Sequence, residues 1–222
     1  MNAMEPLVSV IIPTYNRRNL LKETVESVRG QTFRDFEIIV VDDGSTDGTG
    51  EWLANQPDLR VISQKNQGIA TSRNNGAKLA AGRWLAFLDH DDLWSHDKLA
   101  VQVEFIRKNP DVALVAARHV RLGKRLRVPK RPTWIKGDLL VKTYAESFIH
   151  TSSVMIRKDV FDRIRGFPKQ YRFADEFDVW LNIARDFPIA YVDIPLVFIR
   201  FYESNTSHNR IGVRTDTYEI LE

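Results

Sequence analysis

Residues Arg83 to Trp94 read RWLAFLDHDDLW, and the fold is decided there. The apolar run Trp84 to Leu88 has the composition and length of a buried strand, and it empties directly into Asp89, Asp91 and Asp92. Like charges this close repel and hold on to protons unless a hard cation, Mg2+ or Mn2+, sits among the oxygens. In an open α/β sheet the carboxyl ends of strands are also where ligands bind. The plainer reading is a polar turn in which one Asp caps a helix over 95–108.

Outward from this stretch the pattern repeats. VSVIIP (8–13) is a short β-branched run of the kind buried on both faces of a parallel sheet, and the apolar spacing of Leu20, Leu21, Val25 and Val28 predicts a helix ending at Gly30. FEIIVV (36–41) is a second strand, ending in Asp42-Asp43-Gly44-Ser45, with a helix over 46–55. A third strand is expected over 59–63, then a helix over 69–81. Four strands alternating with helices in about 90 residues argue for a parallel sheet with right-handed crossovers.

Beyond Pro110 the regularity weakens. Strands are expected over 112–117, 149–156 and 192–201, a hairpin around Gly123 (120–128), a helix over 175–187, and a polar tail from Tyr202. This half reads as a mixed-sheet extension of one domain covering 1–222, with 1–94 as the ligand-binding half and 95–222 as the extension.

Composition narrows the chemistry. The chain has 222 residues, 43% of them hydrophobic and 27% charged, and no cysteine, so a metal is held by oxygen or imidazole and no thiol nucleophile exists. No apolar run approaches the roughly 20 residues that span a bilayer, and the first residues carry neither a basic nor an apolar signal region, so a cytoplasmic protein is expected. Glu222 ends the chain without a stop signal, as a chain cut from a longer one does. Net charge is +3, but from Arg118 to Lys136 stand eight Lys/Arg and no acid. A block like this suits an anionic membrane surface, here peripheral contact at the inner face through 118–136, or it is a solvated loop. With Trp134 as its one aromatic residue it argues against nucleic acid.

The turns Asp42-Asp43 and Asp91-Asp92 follow two strands of one sheet, so both open into one crevice. Asp43 suits a base N–H or a ribose hydroxyl, Asp91 or Asp92 a metal, and Tyr15 a stacked base. Neither GxGxxG nor GxxxxGK[ST] is present, so a pyrophosphate would be neutralised by metal and by arginine, with Arg73 best placed. An aspartate-based phosphohydrolase with Asp89 as nucleophile is a second reading, but it leaves Asp42-Asp43 and Tyr15 unused.

VSVIIPTYNRRNLLKETVESVRGQTFRDFEIIVVDDGSTDGT and NQGIATSRNNGAKLAAGRWLAFLDHDDLW closely resemble the family 2 glycosyltransferases, inverting enzymes of the GT-A fold. The resemblance implies a Rossmann-like, mostly parallel sheet flanked by helices, a UDP-sugar or related donor, Mn2+ or Mg2+, and a saccharide or lipid-linked saccharide acceptor. By that pattern Pro13, Tyr15, Asp43, Arg73 and Asp91 bind the nucleotide sugar, and Asp92 with Asp91 the metal. The family's base lies in a Glu-Asp-x-Asp-x-Trp-like stretch, here Asp175-Glu176-Phe177-Asp178-Val179-Trp180. Register favours Glu176 as the base, with Asp175 as the competitor. Two departures stand out: Arg165-Gly166-Phe167 in place of Gly-Gly-Phe, and Arg200-Phe201-Tyr202 in place of Arg-x-His, which leaves His208 as a substitute. With these departures, a catalytically silent nucleotide-sugar or glycan-binding module is the alternative.

Overall fold

The structure is a computed structural model, described over residues 5–123, 133–137, 149–170 and 175–201, with Asp175 described by its backbone alone. The parallel half has β1 (Val8–Thr14), α1 (Arg18–Arg29), β2 (Phe36–Asp42), α2 (Thr49–Leu53), β3 (Leu59–Ser63), α3 (Ile69–Leu79) and β4 (Trp84–Phe87). Then follow β5 (Leu93–Trp94), α4 (Lys98–Lys108), β6 (Leu114–Arg121), β7 (Trp134–Gly137), a 3-10 turn (Thr151–Ser153), β8 (Met155–Arg157), α5 (Lys158–Arg163), α6 (Asp175–Asp186) and β9 (Ile189–Ile199).

These make one sheet in the order β3-β2-β1-β4-β8-β6-β9-β5, with β7 added beside β9. β3, β2, β1 and β4 run parallel, in the register Thr14↔Asp42 and Ile11↔Phe87. β8 is antiparallel to both β4 and β6, while β6 and β9 pair in parallel and β5 and β7 pair antiparallel to β9. The expected α/β class with a mixed extension is what forms.

Alternation along the strands supplies two cores, one on each face. Val8, Val10 and Ile12 of β1 pack with α1 through Leu21, Val25 and Val28, and with α4 through Leu99, Val103 and Ile106. Ile11 of β1, with Ile39 and Val41 of β2, packs on the other face with Ala70 and Ala77 of α3 and with Val179, Trp180 and Ile183 of α6. α3 lies so close to β1 that a Cβ at Gly76 would come within 2.5 Å of Ile11 Cγ2. With strands buried on both faces, the free carboxyl ends of β1, β2 and β4 and the loops above them are left for a ligand.

The later half departs from expectation. Over 149–156 only Met155 onward is strand, because Thr151–Ser153 coil into the 3-10 turn, with the His150 ring nitrogen accepting from the Ser152 amide. β6 runs on to Arg121, β9 starts at Ile189, and β7 appears inside the basic block. The expected hairpin and the tail from Tyr202, with His208, lie largely or wholly outside the described residues.

Candidate active site

The acidic turn leaves β4 at Phe87 and is clamped from two sides. From α1, the buried Thr24 hydroxyl reaches the backbone oxygens of His90 (2.8 Å) and Asp92 (2.9 Å). From the 3-10 turn, Ser152 Oγ donates to Asp92 Oδ2 (2.6 Å) and accepts from the Asp89 amide (3.1 Å). The Trp94 indole donates in turn to the Ser152 carbonyl (2.8 Å), and Arg200 donates through Nε to the Asp91 carbonyl (3.0 Å).

The three carboxylates are not equivalent. Burial pushes Asp89 up, but Arg73, donating to it at 2.8 Å, outweighs burial with help from His150 and His90 and holds it below the usual range. Its retained charge works against its neighbours. Burial and Asp89 raise Asp91, and burial, Asp89 and then Asp91 push Asp92 up to about 8, against the opposing bonds from Ser152 and Arg200. Two carboxyl groups whose ionisation is disfavoured by burial and by Asp89 fit a divalent cation, which would favour it. Asp92 is only 2% exposed, whereas Asp91 is half-buried, and among the described residues no other residue donates to the Asp91 carboxylate.

The other side of the candidate site is built from the β1 and β2 ends. Tyr15 is 46% exposed, and Pro13 is buried with its carbonyl 3.2 Å from His90 Nδ1. Asn16, with φ of 50°, ties the two loops: its amide donates to Ser45 Oγ (2.9 Å) and its Oδ1 accepts from the Thr46 amide (2.7 Å). The Asp43 carboxylate does not stand open. It accepts from Gln64 Nε2 (2.7 Å) and from the amides of Gln67 and Gly68 (both 2.9 Å), and so fixes the loop that starts α3.

Arg73 is 2% exposed and turned inward. Besides Asp89 it approaches Glu176 Oε2 (3.9 Å), and its guanidinium lies over the Phe167 ring (5.0 Å). Glu176, in the first turn of α6, accepts a hydrogen bond from Thr151 Oγ1 (2.5 Å). Thr151, Ser152 and Thr24 were not singled out by the sequence reading. The available signal was a run of three hydroxyl residues, Thr151-Ser152-Ser153, inside an apolar stretch, since buried hydroxyls must find partners.

Despite the lost glycine, Phe167 is firmly held. Its amide donates to Asn74 Oδ1 (2.9 Å), Asn74 Nδ2 donates back to its carbonyl (2.8 Å), and its ring meets Phe87 edge-on at 5.1 Å. In the basic block, Arg118 pairs with Asp193 and Lys136 with Asp111, both at 2.9 Å, and Trp134 stacks on Phe105 at 3.8 Å. Lys124, Arg125, Arg127, Lys130 and Arg131 lie outside the described residues. A cleft of about 690 Å³ at the amino ends of β1 and β4, by Leu7 and Trp84, contains none of the candidate groups.

A family model described as glycosyl transferase family 2 matches residues 9–165. A Bacillus subtilis (strain 168) protein named for a glycosyltransferase role in teichuronic acid biosynthesis, TuaG, is 34% identical over 232 residues, covering 99% of this chain and 89% of its own. Among solved structures, S. aureus TarS 1-349 in complex with UDP-GlcNAc superposes with a TM-score of 0.79 at 24% identity, over 98% of this chain and 64% of that one. The mannosyltransferase PcManGT from Pyrobaculum calidifontis, in complex with GDP-Man and Mn2+, gives 0.71 at 26% identity, over 94% and 61%. This chain thus spans under two thirds of either solved protein. The match covers the parallel half, the acidic turn and the strand β8 beyond it, and the chain belongs to glycosyl transferase family 2.

Proposed function

We propose that the chain transfers a sugar from a nucleotide diphosphate sugar, a UDP-sugar first, to a hydroxyl of a cell-surface polysaccharide or lipid-linked saccharide, by one inverting displacement that depends on a divalent cation. The observation that carries this is that adjacent residues of one turn hold two carboxylates, Thr151 donating to Glu176 and Ser152 to Asp92, while Arg73 bonds Asp89 and approaches Glu176. The relatives' names support the cell-surface acceptor and the UDP donor, and the Mn2+ in the mannosyltransferase complex supports the cation.

In this reading Tyr15, Pro13 and Asp43 receive the nucleoside, with Asp43 holding the 64–68 loop as part of that wall. Asp91, the more open carboxylate, and Asp92 would hold Mn2+ or Mg2+, which when bound would offset the charge growing on the diphosphate. Glu176 accepts the proton of the acceptor hydroxyl as its oxygen bonds to the anomeric carbon. The bond from that carbon to the diphosphate oxygen breaks, its electron pair leaves with the nucleoside diphosphate, and the configuration inverts. Arg73 keeps Asp89 ionised, which makes Asp89 a framework charge and not a nucleophile.

The experiment is release of nucleoside diphosphate from UDP-N-acetylglucosamine, UDP-glucose and GDP-mannose with Mn2+, for wild type, Glu176→Gln and Asp175→Asn. Turnover that only Glu176→Gln abolishes supports the assignment, and the opposite pattern moves the base to Asp175. No turnover and no Mn2+-dependent binding of UDP or GDP leaves a silent binding module. Membrane contact through 118–136 is the further part of the reading, consistent with the absence, among the described residues, of any helix long and apolar enough to cross a membrane. Anionic liposome binding that persists when Lys124, Arg125, Lys130 and Arg131 are neutralised removes it.

A further inference from the structure

The 3-10 turn touches both halves of the site at once. Its three hydroxyl side chains are buried and each is bonded: Thr151 to Glu176 Oε2, Ser152 to Asp92 Oδ2, and Ser153 back to the His150 carbonyl at 2.7 Å. The turn's backbone is also fixed, since Trp94 Nε1 donates to the Ser152 carbonyl and Gln102 Nε2 to the Ser153 carbonyl (2.9 Å). Such a short helix has poor hydrogen-bond geometry of its own and persists here because its side chains and neighbours hold it.

We propose that Thr151 and Ser152 are positioning residues that set the separation between the base carboxylate and the cation-side carboxylate, each hydroxyl holding one of them. The inference rests on the function proposed above. Adjacent residues on one rigid turn cannot move their hydroxyls independently, so the spacing between Glu176 and Asp92 is carried by a covalent link of one residue. Thr151 occupies Oε2 of Glu176 and leaves Oε1 to receive the acceptor's proton, removing the rotation that would present either oxygen at random. Ser152 performs the corresponding task for Asp92, as outer partners of metal-binding carboxylates do. Arg73, joined to Asp89 and close to Glu176, spans the same gap by a second route.

The two hydroxyls therefore carry opposite signatures. Thr151→Val keeps the shape and deletes the donor. With whichever of UDP-N-acetylglucosamine, UDP-glucose and GDP-mannose the wild type turns over, it lowers kcat about tenfold or more with donor KM unchanged, and Thr151→Ser restores most of the rate. Its calorimetric affinity for UDP with Mn2+ stays that of wild type. Ser152→Ala weakens UDP binding about tenfold with Mn2+ and leaves it unchanged without, and Ser152→Gly repeats this if the alanine variant folds poorly. Wild-type kcat in Thr151→Val beside an inactive Glu176→Gln overturns the proposal while the proposed function stands. Loss of kcat and donor affinity together, without rescue by serine, overturns it as well. Full activity in Glu176→Gln removes the base assignment and this role with it.

Discussion

Arg73, from the middle of α3, donates through Nη2 to Oδ1 of Asp89 at 2.8 Å, and its own side chain is almost sealed from water. A charge held this way is costly to abandon, since removing one member leaves the other buried without compensation. Arg73→Met is expected to lower stability by about 3 kcal/mol in urea unfolding, and adding Asp89→Asn to recover part of it. A loss below about 1 kcal/mol in the single variant would mean that water compensates Asp89 and that its charge does not govern the turn.

The second prediction concerns the cation. A carboxyl pushed up to about 8 by burial and by Asp89 loses little when replaced by a neutral amide in metal-free protein. Asp92→Asn therefore keeps wild-type stability without Mn2+. With free Mn2+ at about 100 times its Kd, wild type gains about 2.7 kcal/mol and the variant gains nothing. Thermal unfolding with and without Mn2+ reads both. An equal gain in the variant would place the cation elsewhere.

These two groups differ in how legible they were. Asp89, Asp91 and Asp92 stood out because an apolar strand ran straight into them, and the four βα units because strands buried on both faces spell continuous apolar runs. Ile149 to Ile156 has the same apolar look, yet side-chain hydrogen bonds to Asp92 and Glu176 coil its middle, and such partners lie far away in sequence. β7 was hidden for a related reason. Trp134–Gly137 sits in a basic block that reads as solvated loop, and only pairing with β9 makes it a strand. Arg73 and Asp43 were recognised as residues of the site, but their contacts turn inward, to Asp89 and to the 64–68 loop, which no spacing rule conveys.

The Arg-Gly-Phe departure yields a third prediction. Arg165 has φ of 66° and Gly166 φ of 72°, so an arginine occupies a left-handed position where its Cβ crowds the backbone. Arg165→Gly is expected to raise stability by about 1 kcal/mol, the relief of strain exceeding the added freedom of the unfolded chain. Denaturant midpoints at unchanged slope report it, and a destabilised variant would show that the Arg165 side chain makes up for its backbone.

The fourth prediction comes from a lysine with no part in the proposed chemistry. Lys98, at the start of α4, is completely buried, its Nζ 3.3 Å from the Val154 carbonyl and over the Trp94 ring at 3.8 Å. Burial holds its amine well below the usual lysine range. In the unfolded chain the same amine titrates near 10.4. Between the depressed folded value and that one, the unfolded state binds the extra proton, so this group's contribution to stability rises with pH, by about 1.4 kcal/mol per unit, until about 10.4. Below the window the protein must bury a charge or break its packing. Lys98→Met fills the same slot without an ionisable group, and should be more stable than wild type at pH 7, with the difference shrinking steadily toward pH 10. Urea unfolding of both proteins across this range gives the difference directly, free of every titration they share. A constant difference would mean that Lys98 keeps its proton when folded, with the Trp94 face and the Val154 carbonyl together carrying the charge.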